Sequence, residues 1–238
     1  MGLKRLLAAG LTAFVISGIP EITTKKAEVL TPEQMSARKI LENTAVNQVV
    51  MFGEVHNDYR RDNDFVISIL PTLKKQGYEY LALEFPRDVS KVPENEEYLK
   101  IFADYIDGKI TRFQIPPQDY FEIYRHAAGW LEMVDAARLL GIKIVRYDDK
   151  INESDDVVKM PRINSVRENN AFKNLQDLIF RDKSEAKVIV YCGALHICEE
   201  PNNLLGTEIT WLGTYLNLYT LGKNFSVAFA QNKGIYIP

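Results

Sequence analysis

Residues 48–58 read QVVMFGEVHND and residues 187–197 read KVIVYCGALHI. Each is an apolar run rich in Val that closes in Gly-x-x-His. They hold two of the chain's three histidines, His56 and His196, about 140 residues apart. Imidazole changes charge near neutrality and ligates metals readily. Acids accompany both: Glu54 lies two residues before His56, and Glu84 nears the end of a third apolar run, YEYLALEF. A guanidinium belongs to the same set. In RINSVRENNAFKNLQDLIF, Ala171, Leu175 and Leu178 form an inward helical stripe, and Arg167 falls on it by the i, i+4 rule. A buried Arg167 must meet a carboxylate or an anionic ligand, because an unpaired charge in an apolar setting is costly. Glu84 is its natural partner.

Two chemistries suit Glu54, His56, Glu84, Arg167 and His196. In the first, His56 or Glu84 acts as general base on water, Arg167 meets developing negative charge, and His196 donates a hydrogen bond. In the second, His56, His196 and Glu84 hold a divalent metal such as Zn, Mn or Co with a water in the open position. Each residue also has a plain structural use. A strand-end histidine is ordinarily a hydrogen-bonded loop residue, Glu54 could be a solvated acid, and Glu84 with Arg167 could be a structural salt bridge. Asp148 and Asp149 read as an ordinary loop start, with a weaker claim on Asp148. His126, in mid-helix, falls off the apolar stripe. No Gly-x-Ser-x-Gly elbow is present, so a serine nucleophile is not expected and activated water fits better.

The elements that must position these groups follow from the pattern. Short apolar strands are expected near 48–53, 78–85, 142–149 and 187–193, and two final strands within 225–238. Helices are expected from Thr31–Pro32 onward, over 58–77, near 94–107, over 117–140, over 161–181, and across EITWLGTYLNLYTL (208–221). The alternation predicts an α/β fold with a mainly parallel sheet, helices on both faces, and an antiparallel strand pair at the C-terminal end. In such sheets ligands bind beyond the carboxyl ends of the strands, so distant strand-end residues converge in one crevice.

Taken in order, GEVHND, LALEF, AARLLGIKIVRYD, RENNAFKNL, GALH and WLGTYL resemble the superfamily that joins ChaN-like haem-binding proteins, erythromycin esterases and the Tiki/TraB metalloproteases. The likeness spans about residues 47–230 and looks closest to the ChaN-like branch. It implies Glu54, His56, Glu84, Arg167 and His196 as the pocket set. On the ChaN-like branch it implies haem or a similar iron-uptake cofactor held through a tyrosine, and a homodimer sandwiching cofactors. Tyr59, Tyr120, Tyr124 and Tyr147 are candidates by position. On the esterase and Tiki branches it implies hydrolysis of an ester or peptide, with metal in the Tiki case. The chain departs from the pattern at Asn57, where many relatives have Asp, and at Phe172, where they have a small residue.

Composition bounds the rest. The chain has 238 residues, 46% hydrophobic and 26% charged, with a net charge of −3 and scattered basic residues. That suits one domain over 31–238 and a small-molecule ligand, and excludes the electrostatic footprint of a nucleic-acid binder. The start differs: MGLKR is a basic head, and LLAAGLTAFVISGI is an uncharged stretch of 14 residues. That matches a signal-peptide core and falls short of the roughly 20 residues of a membrane span. Residues 1–20 are expected to direct export to the periplasm or exterior, with 21–30 as a linker; the alternative is an uncleaved anchor. The two cysteines, Cys192 and Cys198, flank the second Gly-x-x-His and lack zinc-finger spacing. They are expected as thiols, with a disulfide across the turn as the alternative.

Overall fold

The computed structural model describes residues 29–30, 37–54, 59–90, 97–126, 129–149, 160–204, 207–230 and 234–236, some of them, including 59–61, 121–122 and 124–126, by their backbone alone. The expected signal segment, the Thr31–Pro32 helix start, His56 and Asn57 lie outside the described residues.

Four strands rich in Val, Ile, Leu and aromatics form the centre: β2 (Val49–Glu54), β3 (Tyr78–Pro86), β4 (Lys143–Asp148) and β5 (Lys187–Gly193). With β8 (Asn224–Ala230) they make a five-strand parallel sheet in the order β8-β2-β5-β3-β4. β2 is buried along its whole length and β5 nearly so, which explains why both read as unbroken apolar runs rather than alternating ones. Beyond β8, β9 (Gly234–Tyr236) and β1 (Val29–Leu30) extend the sheet in antiparallel pairing. β1 therefore takes the last two residues of the expected linker into the sheet. A separate hairpin joins β6 (Asn202–Leu204) to β7 (Thr207–Ile209).

Seven helices stand among the described residues. α1 (Ala37–Val46), α2 (Tyr59–Lys75), α3 (Tyr98–Ile106), α4 (Pro117–His126) and α5 (Trp130–Leu139) supply apolar residues to one face of the sheet. α6 (Met160–Leu175), continued by a π turn over Gln176–Phe180, and α7 (Leu212–Tyr219) cover the other. Strand alternation sorts the two cores. Val50, Phe52, Leu81, Leu83, Ile189 and Tyr191 face the first set, and Val49, Met51, Ala82, Val190 and Cys192 face the second. Each large apolar side chain so buried contributes about 1.5–3 kcal/mol relative to exposure. No helix of the described residues is long and apolar enough to cross a membrane.

Two expected helices are corrected. The single helix over 117–140 is two, because Gly129 sits at φ +88° and caps the start of α5 instead of continuing α4. A Cβ there would also meet the Asn63 side chain at 2.6 Å. The helix over 208–221 begins only at Leu212, since Thr207–Ile209 is hairpin strand. Its apolar residues suit either structure, and pairing with β6 decides the outcome.

Two other glycines let the turn after β5 sit tightly. A Cβ on Gly53 would lie 2.8 Å from Ala194 Cα, and one on Gly213 would lie 2.6 Å from the Ile197 carbonyl. Backbone thus packs on backbone at both places. Gly213→Ala is expected to cost roughly 1–3 kcal/mol through overpacking, read as a lower midpoint in urea unfolding followed by circular dichroism.

Candidate active site at the carboxyl ends of the strands

Residue parity decides which side chains can meet. Glu84 follows Leu83 on β3 and so faces α6 and α7, the side that also takes Ala82 and Cys192. There it is held at both oxygens. Oε1 accepts from Arg167 Nη2 at 2.5 Å and lies 3.1 Å from His196 Nε2, while Oε2 accepts the Gly193 N–H at 2.6 Å. Gly193 is the last residue of β5, so its amide points into the site where the ladder ends.

Arg167 projects from α6 between two strand ends. Its Nε and Nη2 donate to the two oxygens of Asp148, at 3.0 and 2.6 Å, in the paired geometry that guanidinium and carboxylate favour. Asp148 ends β4, and Glu84 shares the same Nη2. The expected Glu84–Arg167 pair is thus present, and Asp148, on which the sequence carried only a weak claim, is its third member.

His196 lies in the turn after β5. Its Nδ1 is 2.6 Å from Glu168 Oε1, and its Nε2 faces Glu84. Glu168 is only 1% exposed, and its other oxygen accepts the Leu212 N–H at the start of α7. The turn itself is pinned: Gly213 N–H donates to the His196 carbonyl at 2.8 Å, and Trp211 meets the imidazole edge to face at 6.0 Å.

The protonation states follow from this packing. Burial opposes charge on His196, but Glu84 and Glu168 outweigh it and push its pKa up to about 10. Burial would also raise Glu84, yet His196, Arg167 and the Gly193 amide hold it well below the usual carboxylate range. At Asp148 burial prevails over Arg167, and its pKa is raised. Three carboxylates (Glu84, Asp148, Glu168) thus surround two cations (Arg167, His196). Solvent still reaches the cluster, since the side chains of Arg167, His196 and Glu84 remain 29%, 14% and 12% exposed.

Not every expected member is here. Glu54 has the parity of Phe52 and points to the opposite face, toward α2 and α5. It is 4% exposed, so it is no solvated acid, and it accepts the Tyr191 hydroxyl at 2.8 Å. Glu54 pairs with Gly193 across the β2–β5 ladder, so the acid shares the rim of the crevice but not the Arg167–His196 side of the sheet. His56 lies outside the described residues, as do the side chains of His126, Tyr59 and Tyr124. Glu168 was missed by the sequence reading. The signal was available: Glu168, Ala171 and Leu175 are spaced i, i+3, i+7 and are all buried, a better stripe than the one drawn through Arg167.

The expected ligand groups fare as follows. Among the described residues no cluster of three or more His, Cys, Asp or Glu is arranged to hold a metal ion. Both nitrogens of His196 face carboxylates, so the ring offers hydrogens where a metal would need a lone pair. Of the tyrosines considered for haem, Tyr147 is fully buried and Tyr120 accepts a hydrogen bond from Arg112 at 2.6 Å. Cys192 and Cys198 are free thiols.

No family model matches the chain, and no curated protein matches it. Solved structures of bacterial toxins do. The C-terminal region of Pasteurella multocida toxin, which has a thiol-protease-like catalytic triad, aligns at a TM-score of 0.59 and 13% identity over 99% of this chain and 31% of that one. RRSP, a MARTX toxin effector domain from Vibrio vulnificus CMCP6, aligns at 0.56 and 16% identity over 84% and 37%. A further structure of bacterial protein toxins aligns at 0.57 and 16% identity over 87% and 40%. At such identities the shared property is the fold, and the chain spans well under half the length of each.

Stability should depend on pH through His196. Its pKa is raised from 6.5 to about 10, so its stabilising contribution is complete below pH 6.5 and is lost as pH rises through about 10. Urea unfolding across that interval should show stability falling steadily, and His196→Asn should remove most of the decline.

Proposed function

We propose that the chain is a hydrolase that activates water at the Glu84–Arg167–His196 cluster, on the plan of the superfamily to which its motifs show resemblance. The observation that carries this reading is the imidazole of His196, anchored at Nδ1 by a buried carboxylate and aimed through Nε2 at a second, solvent-reached one. A histidine oriented by one acid and presented to a reacting centre is the recurring arrangement of acid–base catalysis.

The roles divide by charge. A water hydrogen-bonded to Glu84 attacks a carbonyl carbon bound beside it. Glu84 is a weak base, but the water proton becomes strongly acidic as the C–O bond forms, so Glu84 accepts it late in the step. Arg167, already fixed by Asp148, offers positive charge to the oxygen on which negative charge develops. His196, charged at neutral pH, delivers its Nε2 proton to the leaving oxygen or nitrogen.

A cysteine nucleophile fits poorly. Burial pushes the Cys192 thiol well above its ordinary range, and burial with Glu168 nearby raises Cys198 to about 11, so neither is poised as a thiolate. The triad of the Pasteurella toxin therefore supplies no model for these two residues. Export belongs to the same proposal and rests on the basic head and short apolar stretch at the start of the chain.

A library of ester and peptide substrates tests the reading. Glu84→Gln should lower turnover by roughly 10²–10⁴-fold while circular dichroism shows an intact fold. Wild-type kcat/KM should stay level through neutrality and fall as pH rises through about 10, where His196 gives up its proton. A wild type that cleaves nothing in the library, with a saturable Soret shift on haem addition, would replace hydrolysis by haem binding.

A further inference from the structure

The proposed hydrolysis needs the charged His196 to present its Nε2 proton to the leaving group, and the packing around the ring holds it in that orientation. We propose, resting on that reading, that Glu168 is the positioning residue that sets His196 as the proton donor of the site.

Glu168 and Arg167 are neighbours on α6 yet serve different partners. Arg167 is committed to Glu84 and Asp148, while Glu168 spends one oxygen on His196 Nδ1 at 2.6 Å and the other on the Leu212 N–H at 2.9 Å. Both carboxylate oxygens are thereby assigned, and the residue is sealed from solvent. A ring turned over by 180° would bring a carbon edge to Glu168 and lose that hydrogen bond, so one orientation is selected. With Nδ1 held by the sealed Glu168, Nε2, whose partner Glu84 is reached by solvent, is the nitrogen placed to exchange a proton with a substrate. Because Leu212 opens α7 and Gly213 holds the His196 carbonyl, Glu168 also ties the turn to two helices at once.

Among the described residues, the charged groups facing His196 come from three elements. Glu84 approaches from β3 and Glu168 from α6. Asp148 on β4 and Arg167 on α6 stand one contact away with opposing signs, and Trp211 contributes an uncharged edge. Removing Glu168 thus removes one of the two carboxylates that, among the described residues, directly contact the ring. In the catalytic step His196 loses its Nε2 proton to the leaving group, and Glu84 passes the proton taken from water to His196 Nε2, 3.1 Å away, which restores both groups. No other reactant is required.

The test is long-range ¹H–¹⁵N NMR of the imidazole, assigned among three histidines by His196→Asn. Glu168→Gln should lower the titration midpoint of His196 by roughly 1–3 units, and Glu168→Asp, which keeps the charge, should restore most of it. On any ester or peptide the wild type cleaves, Glu168→Gln should lower kcat and leave KM unchanged. A folded Glu168→Gln protein whose His196 titrates as in wild type would overturn the proposal. Should that variant not fold, wild type decides: a slowly exchanging, downfield Nδ1 proton at pH 8 supports it, and its absence sinks it. An intact NMR signature with no hydrolysis of any substrate would instead reject the proposed function and leave the positioning role standing.

Discussion

The structure turns on one carboxylate. Glu84 follows the apolar stretch Tyr80–Leu83 near the end of its strand, and a lone ionised acid there would be untenable. Arg167, His196 and the Gly193 amide together satisfy both of its oxygens. Each of these comes from a different segment: α6, the turn after β5, and β5 itself. Holding one charge therefore fixes the mutual placement of three elements. Removing either cation would leave three carboxylates to share a single positive charge.

The fold makes that convergence inexpensive in chain geometry. Parallel strands present all their carboxyl ends on one side, so β3, β4 and β5 deliver Glu84, Asp148 and the Gly193 amide to one rim without long excursions. Gly53 and Gly213 then let backbone approach backbone around the turn that bears His196. The sheet also divides what it gathers. Glu54 and Tyr191 reach the rim on the α2–α5 side, while the charged cluster lies on the α6–α7 side. Two buried polar groupings of different character thus flank the tip of β5: a neutral hydroxyl on an acid, and a chain of alternating charges.

Much of the scaffold was legible from pattern. β5 matches its apolar run residue for residue, because a strand buried on both faces must be apolar almost throughout, and β3 exceeds its run only by Pro86. The Arg167–Glu84 pair was also readable, since two charges placed on apolar stripes have few ways to be satisfied. The break at Gly129 and the β6–β7 hairpin were not. In both, local propensity was ambiguous, and a packing contact or a ladder partner made the choice. Glu168 escaped because an acid on a buried stripe looks like a register error until its partner is known.

The sequence by itself determined the strands of the parallel sheet, the alternation that builds it, and the short list of residues with chemical potential. Those are local properties, written in hydrophobic period and in the cost of burying charge. Only the tertiary structure decided that Glu168 and Asp148 join Glu84, Arg167 and His196, and that Glu54 turns away from them. Side-chain parity at a strand end, and the angle at which a helix presents consecutive residues, depend on register against neighbours distant in the chain. No local pattern carries that register.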